Sequence, residues 1–121
     1  MVLIDTSVWI DHFKKTDLEL ERLLNAENAL THPLVIGELA CENFKNRELI
    51  LRLINALPPI PEITKEEYYI FIERHRLFGI GLGFVDINLL ASAVLAGCTI
   101  YTRNKALCSA AGMFGICFKN S

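Results

Sequence analysis

Late in the chain, helical periodicity gives way abruptly to a strand, the junction from which α/β folds are built. From Asp86 the apolar residues Ile87, Leu90, Ala91, Val94 and Leu95 recur at i, i+3, i+4, i+7 and i+8, and Gly97 then closes the helix they define. Cys98 to Thr102 follows as a short apolar run, the pattern of a buried strand.

The same alternation begins at the N-terminus. Val2 to Asp5 is a short apolar run ending on Asp-Thr-Ser, a buried strand that delivers its last residue to a helix start capped by Thr6 or Ser7. Val8 to Lys14 continues as a short helix. Thr16-Asp-Leu-Glu19 has capping-box spacing, and Leu20, Leu23 and Leu24 supply the buried stripe of the next helix. Asn28 to Thr31 can form a short strand, and Pro33 suits the first turn of a helix running through Glu38 towards Phe44. Glu48 to Leu57 is apolar on nearly all sides, which predicts a helix in the core or at an interface. The Pro58 to Pro61 run ends it, and Thr64-Lys-Glu-Glu67 repeats the capping box for a helix reaching about Phe78. Gly79, Gly81 and Gly83 alternate in a loop; Asn104 to Ala111 reads as a short helix and Ile116 to Lys119 as a last strand. Strands alternating with helices predict an α/β fold, a mainly parallel sheet with helices on both faces. With 121 residues, 52% of them hydrophobic, and neither repeat nor linker, residues 1–121 are expected to form a single domain.

Nothing at the start resembles a secretory leader, so the expected compartment is the cytoplasm. The most apolar stretch, Phe84 to Tyr101, is broken by Asp86, Asn88 and Gly97, so no membrane span is expected. Cys41, Cys98, Cys108 and Cys117 form no CxxC pair and no zinc-finger spacing, and are expected as reduced thiols serving as small hydrophobes. A net charge of -2 argues mildly against a phosphate-backbone partner, unless clustered carboxylates hold a cation that reverses the local sign.

In open α/β sheets, ligands gather beyond the carboxyl ends of strands. Asp5 ends the first strand, Thr102, Arg103 and Asn104 end the strand from Cys98, and Asp86 opens a helix after the glycine loop. Glu38 lies among Leu34, Val35, Ile36, Leu39 and Ala40, where burial of a carboxylate demands a cationic partner. Together these hard oxygen donors have the makings of a magnesium site for metal-assisted hydrolysis.

Leu-Ile-Asp5-Thr-Ser, Val-Ile-Gly-Glu38-Leu, Gly81-Leu-Gly-Phe-Val-Asp86 and Tyr-Thr102-Arg-Asn104-Lys, in that order over essentially the whole chain, resemble the motifs of PIN-domain nucleases, and most closely VapC-type toxins. The resemblance implies a PIN-like three-layer α/β/α sandwich and a metal-dependent endoribonuclease. It implies Mg2+, with Mn2+ as an alternative, held by Asp5, Glu38 and Asp86. It also implies an RNA substrate, a homodimer, and a cognate VapB-like antitoxin that blocks the cleft. The fourth position, often an aspartate in such proteins, is Asn104 here, and no acid follows Asp86. An amide offers one oxygen without the charge, so Asn104 is expected to ligate weakly or to orient water. Glu42, four residues after Glu38, is a candidate substitute.

Plainer roles exist for each residue. Asp5 and Asp86 could be helix-cap acids, Thr6 and Thr102 caps or water-orienting hydroxyls, and Arg103 and Lys105 solvated charges or phosphate contacts. His12, His32 and His75 share no spacing and read as structural or surface residues; Trp9 and Tyr69 read as core or dimer contacts. The glycine loop lacks the Lys-Ser/Thr of a P-loop. A magnesium-dependent phosphatase would want a second aspartate at position 7, which is Ser7. A third reading is a non-catalytic PIN-like module that binds RNA or protein.

Overall fold

The computed structural model describes residues 1–119. Three short strands, β1 (Val2–Ile4), β2 (Ala29–Leu30) and β3 (Thr99–Tyr101), form a parallel sheet in the order β2-β1-β3, with Leu3 opposite Leu30 and Ile100. Leu3, Ile4 and Ile100 are fully buried. Such side chains contribute about 1.5–3 kcal/mol each, so the sheet is held by its faces more than by its short ladders. The segment expected as a last strand adds a single parallel bridge, Ile100 to Cys117, framed by the amide of Ile100 donating to Ile116 and that of Phe118 donating to Ile100, both at 2.8 Å.

The strands are joined by α1 (Thr6–Lys14), α2 (Leu18–Asn25), α3 (Pro33–Ala40), α4 (Arg47–Asn55), α5 (Lys65–His75) and α6 (Phe84–Ala96), with α7 (Lys105–Met113) following β3. Helix α3 packs on α1 and α4, while α6 packs on α5, α7 and β3, which separates the helices into two layers around the sheet. The expected α/β/α architecture is therefore present.

Details differ from the sequence expectations for identifiable reasons. The cap of α1 is Asp5, whose Oδ1 accepts the Thr6 amide at 2.8 Å, instead of Thr6 or Ser7. The cap of α2 is Asp17 instead of Thr16, because Asp17 is also gripped from outside the helix by Tyr101 and Arg103. Helix α4 is only half covered: Ile54 is buried, but Leu53 is 60% exposed, since Arg47, Glu48, Arg52 and Asn55 make the helix amphipathic and not apolar all round. Helix α6 departs the other way. Residues Ile87 to Ala93 are buried without a break, so its middle is enclosed on every side, while Leu95, in the anticipated stripe, is exposed.

The cysteine expectation fails for two of the four. Cys108 on α7 and Cys117 in the bridging segment form a disulfide, because the turn at Gly115 folds the chain back against α7; Cys98 is a buried thiol and Cys41 an exposed one. Burial pushes the Cys98 thiol up, which suits an inert filler of the core.

Candidate metal centre

Asp5 leaves the sheet at the carboxyl end of the central strand. Its amide donates to the Tyr101 carbonyl at 2.9 Å, which pins it beside β3, and the residue is 6% exposed. Around the carboxylate the chain has arranged donors. The Thr6 amide bonds Oδ1, while the Ser7 hydroxyl at 2.9 Å and the Thr102 hydroxyl at 2.6 Å both bond Oδ2. The two hydroxyls are fixed in turn: Ser7 Oγ accepts the Arg103 amide and Thr102 Oγ1 accepts the Asn104 amide, each at 3.0 Å. The turn after β3 is thus knotted to the start of α1 through one carboxylate.

Glu38 is joined to Asp5 through a single residue. The Thr6 hydroxyl donates to Glu38 Oε1 at 2.6 Å while the Thr6 amide donates to Asp5. The expected burial of Glu38 is not found. Val35 and Leu39 turn inward from α3, and Glu38 lies on the exposed side. Glu38 sits at the solvent edge of the buried stripe of a short helix, and its partner is a hydroxyl and not a buried cation.

Asp86 lies apart from this pair. Half-buried in the first turn of α6, it turns Oδ2 back to the Gly83 amide at 3.1 Å, one arm of a capping box whose other arm glycine cannot supply. Among the described residues no three Asp, Glu, His or Cys side chains already converge as a metal-holding group. The glycine loop does, however, approach the other residues of interest. A Cβ at Gly81, where φ is +86°, would lie 3.7 Å from Cβ of Ala106 in the first turn of α7. Asn104 caps that turn, its Oδ1 accepting the amides of Ala106 at 2.9 Å and Leu107 at 3.2 Å. Both lone pairs of the oxygen proposed for a metal are therefore directed at α7. Glu42 is exposed beyond the end of α3 at Ala40, so it does not share a helix face with Glu38.

The electrostatics fit a divalent cation. Among the described residues, the ion pairs are Arg22 with Glu19 and Arg103 with Asp11 and Asp17; none involves Asp5, Glu38 or Asp86. A buried carboxylate with hydroxyl and amide partners but no positive neighbour, tied to a second carboxylate, is a donor set of hard oxygens short of charge. Arg103, a candidate phosphate contact, is held by Asp11, Asp17 and the Tyr101 hydroxyl. Desolvation pushes Asp17 up, but the Leu20 amide, the Tyr101 hydroxyl and Arg103 together outweigh it and hold Asp17 below 3.8.

The PIN domain family model matches residues 2–113. The chain belongs to the PIN domain family. Two relatives carry the name Ribonuclease VapC32, from Mycobacterium tuberculosis strains CDC 1551 / Oshkosh and ATCC 25618 / H37Rv. Each is 44% identical over 117 residues, covering 96% of this chain and 94% of the relative.

Within this PIN domain, two contributors were not singled out from the sequence. Ser7 read only as a cap, yet it bonds Asp5 directly; its signal was the unbroken Asp-Thr-Ser run, in which successive donors can fold onto one carboxylate. His32, placed among structural histidines, caps α3 through Nδ1, which accepts the Leu34 amide at 3.0 Å; its signal was the position before Pro33, where a cap belongs.

Proposed function

We propose that this PIN domain is a metal-dependent endoribonuclease that hydrolyses RNA phosphodiester bonds with Mg2+ or Mn2+, and that it is the toxin of a toxin–antitoxin pair. Family membership and the 44% identity to two proteins named as ribonucleases support the activity. The observation that carries the site is the buried, charge-uncompensated Asp5, bound by three donors and coupled to Glu38 through Thr6.

Asp5, Glu38 and Asp86 would hold the cation. When bound, a divalent ion supplies Lewis acidity towards the scissile phosphate and lowers the pKa of the attacking water. Thr6 fixes Asp5 and Glu38 at a common spacing, and Ser7 and Thr102 keep the Asp5 carboxylate oriented. Asn104, whose oxygen caps α7, holds the neighbouring turn and orients solvent through its remaining amide hydrogens; Glu42 is left out. The RNA substrate, a homodimer, a cytoplasmic location and a VapB-like antitoxin complete the reading. Exposed Leu49 and Leu53 on α4, and Phe78, Ile80 and Phe84 around the glycine loop, provide apolar surface for association. The antitoxin is expected to set a basic side chain against Asp5 and Glu38 in place of the cation.

The test is RNA cleavage with Mg2+, with Mn2+ and with EDTA, comparing the native chain with Asp86→Asn. Asparagine keeps an oxygen for the Gly83 amide, so the fold should persist while cleavage falls by about 100-fold or more, the scale of losing a charged electrostatic contact to the reaction. Undiminished cleavage in Asp86→Asn, or in EDTA, overturns the assignment.

A further inference from the structure

Glu38 and Asp86 are carried by different helices, and within the described residues one hydrogen bond links the two. His32, fully buried at the start of α3, places Nε2 at 3.2 Å from Oγ of Ser92, which is buried on α6. The ring's protonation pattern follows from its partners. Nδ1 accepts the Leu34 amide and must carry a lone pair, so the proton is on Nε2 and Ser92 accepts it. The ring is therefore both the cap of one helix and a donor to the other.

Its location along the helices gives this bond leverage. Glu38 is six residues beyond His32, and Asp86 six residues before Ser92. At a rise of 1.5 Å per residue, the link is about 9 Å along each helix axis from the acid it would control. Helices are stiff over that length, so a change in spacing at His32 and Ser92 is passed to both carboxylates. Residues 31 and 32 are themselves anchored: Thr31 donates its amide to Pro58 and accepts that of Ile60, each at 2.9 Å, and the His32 carbonyl accepts the Ile36 amide. The ring has a fixed base on the α3 side, so loss of the bond releases the spacing between the start of α3 and the middle of α6.

We propose that His32 and Ser92 are positioning residues that set the separation of Glu38 and Asp86, and thereby the affinity for the divalent cation. The inference rests on the reading that both acids hold the cation. The pair touches neither acid and acts through the helices.

The experiment is titration of the purified chain with Mn2+ by calorimetry, alongside thermal unfolding without metal. It compares the native chain with Ser92→Ala, Ser92→Thr, His32→Asn and Asp86→Asn. Ser92→Ala should weaken Mn2+ binding about fivefold, the equivalent of one ordinary hydrogen bond, and Ser92→Thr should restore it. His32→Asn, which keeps a cap acceptor but cannot span to α6, should match Ser92→Ala. Native Mn2+ affinity in both Ser92→Ala and His32→Asn, with Asp86→Asn impaired, overturns the positioning role and leaves the metal site intact. Native affinity in Asp86→Asn overturns the metal reading and this inference with it. Weaker binding that Ser92→Thr fails to restore also overturns it, because the hydroxyl would then not be the operative group.

Discussion

Thr102→Val tests whether the metal centre depends on hydroxyls as much as on acids. The substitution keeps the branched shape and removes one oxygen. In the native protein that oxygen donates to Asp5 at 2.6 Å and accepts the Asn104 amide at 3.0 Å. A hydrogen bond to a charged group is worth about 1.5–3 kcal/mol, and depriving a part-buried amide of its acceptor costs about 1 kcal/mol more, so the loss should be about 3 kcal/mol. For a chain of 121 residues, an unfolding entropy of about 2.1 cal/mol/K per residue gives about 0.25 kcal/mol per degree. Thermal unfolding in EDTA, followed by circular dichroism, should therefore show Tm lower by about 12 °C, and Thr102→Ser should recover most of it. RNA cleavage should fall with Thr102→Val and return with Thr102→Ser. A Tm within about 3 °C of native would refute the reasoning. If cleavage were nevertheless lost, the hydroxyl would be serving solvent or substrate and not Asp5.

Two further perturbations probe the frame around the site. Burial pushes the His32 ring below 6.5, with the Glu62 carboxylate opposing. The unfolded chain therefore takes up the proton first. The neutral ring's contribution to stability is complete above pH 6.5 and is lost as pH falls from there towards the depressed folded value. Urea midpoints at pH 7.5, 6.5 and 5.5 should decline more in the native chain than in His32→Asn; parallel declines would exclude His32 as the source. The Cys108–Cys117 disulfide closes a short loop with a sequence separation of 9, for which chain entropy gives about 2.7 kcal/mol. Dithiothreitol should lower Tm by about 10 °C in the native chain and have no effect in Cys117→Ser; equal responses in the two would show that the bond contributes nothing.

What the sequence discloses about this domain divides along the range of the interactions concerned. Strands β1 and β3 are legible because each is a short apolar run, Val2 to Ile4 and Thr99 to Tyr101, bounded by residues that stop or cap helices. The capping box at Thr64 and Glu67 is legible because both partners lie within three residues. The α2 cap is not, since Thr16 and Asp17 are equally placed by local spacing. Tyr101 and Arg103, 84 and 86 residues away, settle the matter by bonding Asp17. The disulfide is hidden for a similar reason: a separation of nine residues brings Cys108 and Cys117 together only because Phe118 pairs with Ile100 and draws the segment back over α7. Glu38 is joined to Asp5 through Thr6, a link that the sequence argument for Glu38, which rested on burial, does not contain. Its apolar neighbours implied burial, whereas Val35 and Leu39 fill the interior and leave Glu38 at the exposed edge of their stripe.

Asp86 joins these levels, because its two possible roles do not compete for the same atoms. A carboxylate has about four acceptor sites, and the cap at Gly83 engages Oδ2 alone at 3.1 Å. A capping interaction is worth about 1 kcal/mol, small beside the attraction of a divalent ion for a half-buried carboxylate that has no ion-pair partner among the described residues. Asp86 can therefore hold the start of α6 with one oxygen while offering the other to metal. Asp5 is held at the sheet edge by Thr6, Ser7 and Thr102, and Glu38 is joined to it through Thr6. Asp86 is delivered to the start of α6 by the glycine loop, where Gly79 and Gly81 hold positive φ, a conformation side chains resist. If the acids on both helices hold the cation, the bond between His32 and Ser92, the one hydrogen bond joining the start of α3 to α6 within residues 1–119, bears on how tightly they grip it.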